Sequence, residues 1–344
     1  MRAIVIHAAK DLRLDPVTVG EPGTGEVRIR IERGGICGSD LHYYHEGRIG
    51  TIVLKHPMTL GHEVAGLVER VGANVTSVKP GDRVAVSPSR ACGGCRFCQM
   101  GLQQHCLNMR FYGSAMPFPH IHGAFQEAII ASEAQCFLVP STLSAGEAAM
   151  CEPFAVCLHG VRRAGSVFGK RVLVTGCGPI GALSVLAAKQ AGAAEVVVTD
   201  VTATPFALAK KLGADRCLDV AANKTALAEF AKDKGYFDVL LECSGNQAAL
   251  VSAFDVLRPQ GIIVQIGLGG SFTMPINMVV AKEFELRGTF RFHEEFGLAA
   301  AMIGGGKVDV KPLISATLPF ERAVEAFDLA SDRSKSMKVQ LAFA

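Results

Sequence analysis

Four cysteines, Cys92, Cys95, Cys98 and Cys106, stand at C-x2-C-x2-C-x7-C within one polar, glycine-containing stretch, residues 90–108. Thiolate sulfurs bind zinc at about 2.3 Å in a closed tetrahedron, and Gly93 and Gly94 let ligands so close in sequence bend back to one ion. The stretch is too polar to bury four ordinary thiols, and disulfides across so few residues would be strained. The spacing predicts a structural zinc.

A second set is dispersed along the chain. Cys37 lies in the run Gly34-Gly35-Ile36-Cys37-Gly38-Ser39-Asp40, His62 and Glu63 follow Gly61, and Glu152 precedes Pro153. One thiolate, one imidazole and one carboxylate would leave the fourth position on a zinc ion open to water or substrate, the mark of a catalytic site. Glu63 and Glu152 are both candidates for the carboxylate.

A third pattern, Gly176-Cys177-Gly178-Pro179-Ile180-Gly181, follows an apolar run and opens a helical one. Glycines there permit a tight turn, and bare N–H groups at a helix N-terminus accept a pyrophosphate. Asp200 ends the next strand about 20 residues on, where the dinucleotide fingerprint places an acceptor for ribose hydroxyls. Its charge would repel a 2′-phosphate, and no arginine occurs from 201 to 209, so NAD is favoured over NADP.

These groups need two scaffolds. Up to residue 150, short β-branched runs at 26–32, 64–71, 83–87 and 127–131 alternate with turn signals such as Pro80-Gly81-Asp82, the texture of a β-rich barrel-like domain. From residue 153, apolar strands at 171–175, 195–199, 238–241 and 262–266 alternate with helical periods at 153–163, 180–191, 205–212 and 247–257. That alternation predicts a doubly wound α/β domain around a parallel sheet.

The opening run, residues 1–14, reads as one short alternating strand without the apolar core of an export signal, and no run of 18 apolar residues occurs. Eleven cysteines then suit a reducing compartment, expected to be the cytoplasm. A net charge of +3 without a basic run gives no reason to expect nucleic acid or a membrane surface as partner.

The chain resembles the zinc-dependent medium-chain alcohol and polyol dehydrogenases. GHE-x2-G-x5-G at 61–72, the four-cysteine lobe and the glycine turn at 176–181 occur in that family's order. The resemblance implies a GroES-like zinc-binding catalytic domain over 1–152, a Rossmann NAD-binding domain over 153–290 and a return of 291–344 to the catalytic domain. It implies one catalytic and one structural zinc per subunit, with NAD as cofactor. Cys37 and His62 would hold the catalytic ion, Asp40 would orient His62, and Glu63 or Glu152 would complete the coordination directly or through water. Ser39 and His42 would relay the substrate proton to solvent. Cofactor contacts are implied at Gly176, Gly178, Pro179, Ile180, Gly181 and Asp200, and further along at Ile266, Gly267, Leu268, Phe290 and Arg291.

Glu152 stands where many alcohol dehydrogenases place a second cysteine, which is similar to the polyol branch. The runs 34–44, 109–120 and 287–292 resemble its sugar-acid-oxidising members. Tyr43 and Arg291 match positions that contact the sugar chain in that branch. Arg291, Arg110, Arg48 or His120 would meet a substrate carboxylate, arginine best because its fork binds both oxygens. The implied substrate is a sugar acid or polyol, and the implied assembly a homo-oligomer, on the family's pattern a tetramer with residues 267–275 near the contact. Pro205 departs from the pattern, since sorbitol-type relatives often have an arginine there against the adenine. The alternative from another class is a non-catalytic dinucleotide-binding structural protein. The intact set of Cys37, Ser39, His62 and Glu152 argues against it.

Overall fold

Alternation in the strand Glu26–Gly35 puts Val27, Ile29 and Ile31 on one buried face, which makes it the centre of a sheet. It pairs antiparallel with Glu63–Val71, Ala128–Ser132 and Lys338–Ala342. Glu63–Val71 carries the ladder on to Arg83–Val86, which pairs with Cys136–Leu138, and Ile314–Pro319 runs parallel to Lys338–Ala342 at the far edge. In the computed structural model, which describes residues 1–343, this sheet belongs to a compact unit made of Met1–Glu152 and the chain from His293 onward.

Register is what brings chemistry to one place. Gly35 lies opposite Glu63 on one side and Gln340 on the other, just before the chain leaves the sheet at Cys37. Two glycines of the GHE-x2-G-x5-G run serve the same sheet. A Cβ on Gly66 would stand 2.0 Å from the Arg30 carbonyl oxygen, and one on Gly72 would stand 1.7 Å from that of Gly23.

The second unit, Pro153–Phe292, holds a six-stranded parallel sheet. Its order is Arg216–Asp219, Glu195–Asp200, Arg171–Thr175, Phe237–Glu242, Leu257–Gln265, Glu285–Gly288. Helices Pro179–Gln190, Phe206–Lys211 and Gln247–Ser252 lie near the expected periods.

Three expectations are corrected. Residues 1–14 form two antiparallel strands, Arg2–Ala8 and Asp11–Pro16, hinged at Lys10 with φ 64°. No glycine, proline or asparagine marks that turn; a tertiary bond from Lys10 N–H to the Tyr44 carbonyl (2.6 Å) holds it. The parallel sheet has two further edge strands, Arg216–Asp219 and Glu285–Gly288, which are charged and only partly covered, so no apolar run announces them. The helix expected over 247–257 ends at Ser252, and Leu257 already belongs to the next strand.

Gly66→Ala is expected to destabilise the first unit by about 3 kcal/mol, because the clashing partner is backbone and cannot swing away. Denaturant unfolding against the parent protein checks this, and a loss under about 0.5 kcal/mol, the range of neutral substitutions, would contradict the close approach.

Candidate active site and metal centres

Cys37 stands at the start of the helix Gly38–Glu46. Its N–H donates to Asp40 Oδ2 (3.0 Å), while Asp40 Oδ1 accepts the N–H of Gly61 (3.1 Å), so one buried carboxylate ties together the two segments that carry candidate ligands. Gly61, at φ 94°, turns the chain into the strand that begins with Glu63. The result is that Cys37, His62 and Glu63 each offer a ligand atom within 4.8 Å of the others. One ion with ligands at about 2.0–2.3 Å can bridge such a group.

The donor set fits zinc. His62 Nδ1 is buried with no hydrogen-bond partner, standing 3.8 Å from Asp40 Oδ1, beyond hydrogen-bond reach. Asp40 therefore meets His62 only electrostatically, its oxygens being committed to backbone. Burial raises Asp40, and it drives Glu152 well above the carboxylate range, opposed by His62 and reinforced by Glu63 and Cys37. The Cys37 thiol is pushed up to about 11 by burial and by the Glu63 charge. A divalent cation reverses that logic, since a coordinating thiol is deprotonated outright.

One buried cation answers these acids. Lys338 Nζ donates to both Glu63 oxygens at 2.8 Å and to the Ile36 carbonyl at 3.1 Å. Burial works against its charge, but Glu63 and Cys37 outweigh it and hold the ammonium above its usual range.

In the four-cysteine lobe the sulfurs also lie within 4.8 Å of one another, Cys95 being 3.5 Å from Cys98 and 3.9 Å from Cys106. Those separations are too long for disulfides and near the edge of a tetrahedron with 2.3 Å bonds, about 3.8 Å. Backbone N–H groups of Cys92 and Asn108 point at Cys106 Sγ (3.2 and 3.4 Å), and Cys95 is lowered to about 6, first by the backbone N–H of Cys98. At Cys95 the N–H contact favours the thiolate that a metal needs.

In the second unit the strand Arg171–Thr175 ends on Gly176, at φ 83°. A Cβ on Gly176 would stand 2.8 Å from Ser244 Cα, and one on Gly181 would stand 1.8 Å from the Gly176 oxygen; one on Gly178 would meet nothing. The outer glycines are thus required by packing, and the open side at Gly178 faces no protein atom at the N-terminus of Pro179–Gln190, the kind of cradle a pyrophosphate fills. Asp200 accepts the Cys177 N–H (2.7 Å) on one oxygen and the Thr202 N–H (3.2 Å) on the other, leaving each a lone pair for a ribose hydroxyl.

Residues 23–141 match the alcohol dehydrogenase GroES-like domain and residues 179–304 the zinc-binding dehydrogenase family. Over 99% of its length the chain is 39% identical to an L-idonate 5-dehydrogenase (NAD(P)(+)) of Escherichia coli strain K12, covering 98% of that protein. It is 38% identical over 98% of its length to the sorbitol dehydrogenase of Gallus gallus, covering 95% of it. The crystal structure of the Escherichia coli L-idonate 5-dehydrogenase matches with a TM-score of 0.95 at 38% identity, over 99% of this chain and 97% of that one. This chain is a zinc-binding medium-chain dehydrogenase of the polyol branch.

In this dehydrogenase the other expected site residues are placed unevenly. Ser39 is half-buried in the first turn of Gly38–Glu46, and His42, exposed one turn on, has Nδ1 3.3 Å from Glu46 Oε1. Tyr43 lies in the core, its hydroxyl accepting the Ala115 N–H (3.0 Å). Arg110 is exposed on the short strand Arg110–Phe111, and Arg48 is exposed too. His120 is buried with Nε2 accepting the Lys55 N–H and Nδ1 3.0 Å from the Pro117 carbonyl, so neither nitrogen is left for a substrate. In the second unit, Arg291 has φ 54° and its guanidinium lies 4.8 Å from the Phe290 ring. Ile266, Gly267 and Leu268 follow the strand Leu257–Gln265, with Leu268 exposed.

Two residues at the centre carry almost no signal in the sequence. Phe111 sits with its ring 5.6 Å from that of His62. Lys338 lies 275 residues from Glu63, and its one signal is a lysine heading a short strand in which Val339, Leu341 and Ala342 are apolar. Lys338→Met would leave the Glu63 charge buried and unpaired, so metal-free protein at pH 7 is expected to lose about 3–5 kcal/mol in denaturant unfolding. Unchanged stability would show that Glu63 does not depend on it.

Proposed function

We propose that this dehydrogenase reversibly oxidises the C5 hydroxyl of L-idonate to 5-keto-D-gluconate, with NAD as hydride acceptor. The observation that carries the reading is similarity along the whole chain to an L-idonate 5-dehydrogenase, 39% in sequence and 0.95 in TM-score for that enzyme's structure. Cys37 and His62 would hold the catalytic zinc, which supplies Lewis-acid stabilisation of the deprotonated hydroxyl, and NAD supplies the acceptor. Grouping with Cys37 and His62 supports Glu63 as the third ligand, shared with Lys338. Glu152, whose carboxylate has no hydrogen bond among the described residues, is left for water or substrate. Ser39 takes the proton from the substrate hydroxyl and His42, one helical turn on and exposed, passes it to solvent. Cys92, Cys95, Cys98 and Cys106 would hold the structural zinc.

Arg110 and Arg291 are the candidates for the aldonate carboxylate, because a bidentate arginine distinguishes it from a neutral polyol. The second reading, a sorbitol- or xylitol-type enzyme, is supported by the 38% identity to a sorbitol dehydrogenase. Preference for NAD over NADP rests on Asp200 and the arginine-free segment after it. A homo-oligomer is supported by exposed Ile276, Val280 and Leu286, on a helix with no buried residue and on the terminal strand of the parallel sheet. Eleven unbridged cysteines support a reducing compartment, the cytoplasm. No helix among the described residues is long and apolar enough to cross a membrane.

Initial rates of NADH formation with L-idonate, D-gluconate, sorbitol, xylitol and ethanol test the substrate. L-idonate is expected to show the highest kcat/KM by about tenfold or more, equal to about 1.4 kcal/mol in the transition state. Sorbitol or xylitol in first place would retire the aldonate reading and keep the dehydrogenase. Asp200→Ser is expected to lower kcat/KM for NAD about tenfold while that for NADP holds or rises. An equal fall for both would deny Asp200 its role in cofactor choice.

A further inference from the structure

The parallel sheet reverses its strand order between its two central neighbours, Arg171–Thr175 and Phe237–Glu242. Ligands of such sheets lie beyond the carboxyl ends of the strands at that reversal. Glu242 is the last residue of its strand, opposite Thr175 in register, and wholly buried. Its carboxylate accepts the N–H groups of Ser244 (2.9 Å) and Gly245 (3.0 Å), Gln265 Nε2 (2.6 Å), the Thr175 hydroxyl (3.4 Å) and the Ser244 hydroxyl. The two N–H groups and the amide nitrogen can only donate, so the surroundings are built for an anion rather than a protonated acid. Among the described residues no cation pairs with it.

The same topology says what lies above. The strand ending in Asp200 flanks the glycine turn on one side, and the strand ending in Glu242 flanks it on the other. A dinucleotide with its pyrophosphate at the turn and its adenosine ribose on Asp200 must carry its other half over the Glu242 strand end. The floor there is backbone against backbone. A Cβ on Gly267 would stand 2.2 Å from the Gly245 nitrogen, and one on Gly269 would stand 1.6 Å from the Gly245 oxygen.

We infer that Glu242 is a fixed anion beneath the nicotinamide half of the cofactor site, which favours the oxidised, positively charged ring over the neutral reduced one. It is a positioning residue, holding the loops after two strands and setting the local charge without touching the reacting atoms. The inference rests on the dinucleotide reading of this unit given above. A buried charge acts through a weakly screening interior, where a single unit charge several ångströms away readily changes an affinity tenfold.

Titration calorimetry of NAD+ and NADH into full-length parent and Glu242→Gln tests it without turnover. Glutamine matches the shape and keeps one acceptor oxygen, while its NH2 group stands where the Ser244 or Gly245 N–H donates, so that loss falls on both cofactors alike and only the charge separates them. Glu242→Gln is expected to weaken NAD+ about tenfold and NADH less than about threefold, and Glu242→Asp to keep the parent ratio within about threefold. Equal weakening of both cofactors, or of neither, overturns the inference. A parent that binds neither cofactor overturns the dinucleotide reading and this inference with it. If Glu242→Gln does not fold, the parent decides: its NAD+ to NADH ratio is expected to move less than about twofold between about 0.05 and 1 M NaCl, since a buried charge escapes screening. Collapse of the ratio in salt would place its origin on the surface.

Discussion

Too many acids for too few bases is the constraint around which the first unit is organised. Asp40, Glu63 and Glu152 are buried near one another and near the Cys37 thiol, with one buried ammonium, Lys338, to answer them. Desolvating an ion costs several kcal/mol even after relaxation, so such a cluster persists only if something else offsets it. Protonation is one answer, seen in the upward displacement of Cys37, Asp40 and Glu152. A divalent cation is the other, and it alone also provides a partner for the orphaned Nδ1-bearing ring of His62 or its neighbour nitrogen. The sheet register that sets Gly35 between Glu63 and Gln340 exists at the same point, which explains why a Cβ on Gly35 would strike the Glu63 carboxylate at 2.2 Å.

The second unit meets a similar problem by a different route. Glu242 is buried without a counter-ion among the described residues, but backbone and side-chain donors from three strand ends surround it. In both units the cost of burying a carboxylate is offset by groups at strand ends: Lys338 for Glu63 in one, loop N–H groups and the Gln265 amide for Glu242 in the other. Polar networks of this kind specify one arrangement because a half-satisfied version is worse than none.

What could be read from the sequence was whatever is local. Four cysteines within fifteen positions, or three glycines in six, carry their meaning in the spacing, and the structure brings the four sulfurs together and leaves open space only at Gly178. Apolar central strands were legible for the same reason, since burial on both faces leaves a continuous run of Val, Leu and Ile. The Glu63–Lys338 pair was not, because only the return of the last strand to the first sheet makes neighbours of residues 275 apart. Tyr43 and His120 show the converse. Both are residue types suited to a sugar, yet packing engages the Tyr43 hydroxyl with Ala115 and both His120 nitrogens with backbone. The hairpin at Lys10 was hidden because its turn is held by Tyr44 rather than by turn residues.

This chain builds two zinc sites of different chemistry, one all-sulfur and one mixed. Elemental analysis of purified protein with X-ray absorption at the zinc edge tests it directly, on the parent and on Cys37→Ser. Two zinc ions per chain are expected in the parent and, in Cys37→Ser, one ion retained with a shell of sulfur alone at about 2.3 Å. A parent holding one ion or none, or a Cys37→Ser protein that keeps both with an unchanged mixed shell, would contradict it.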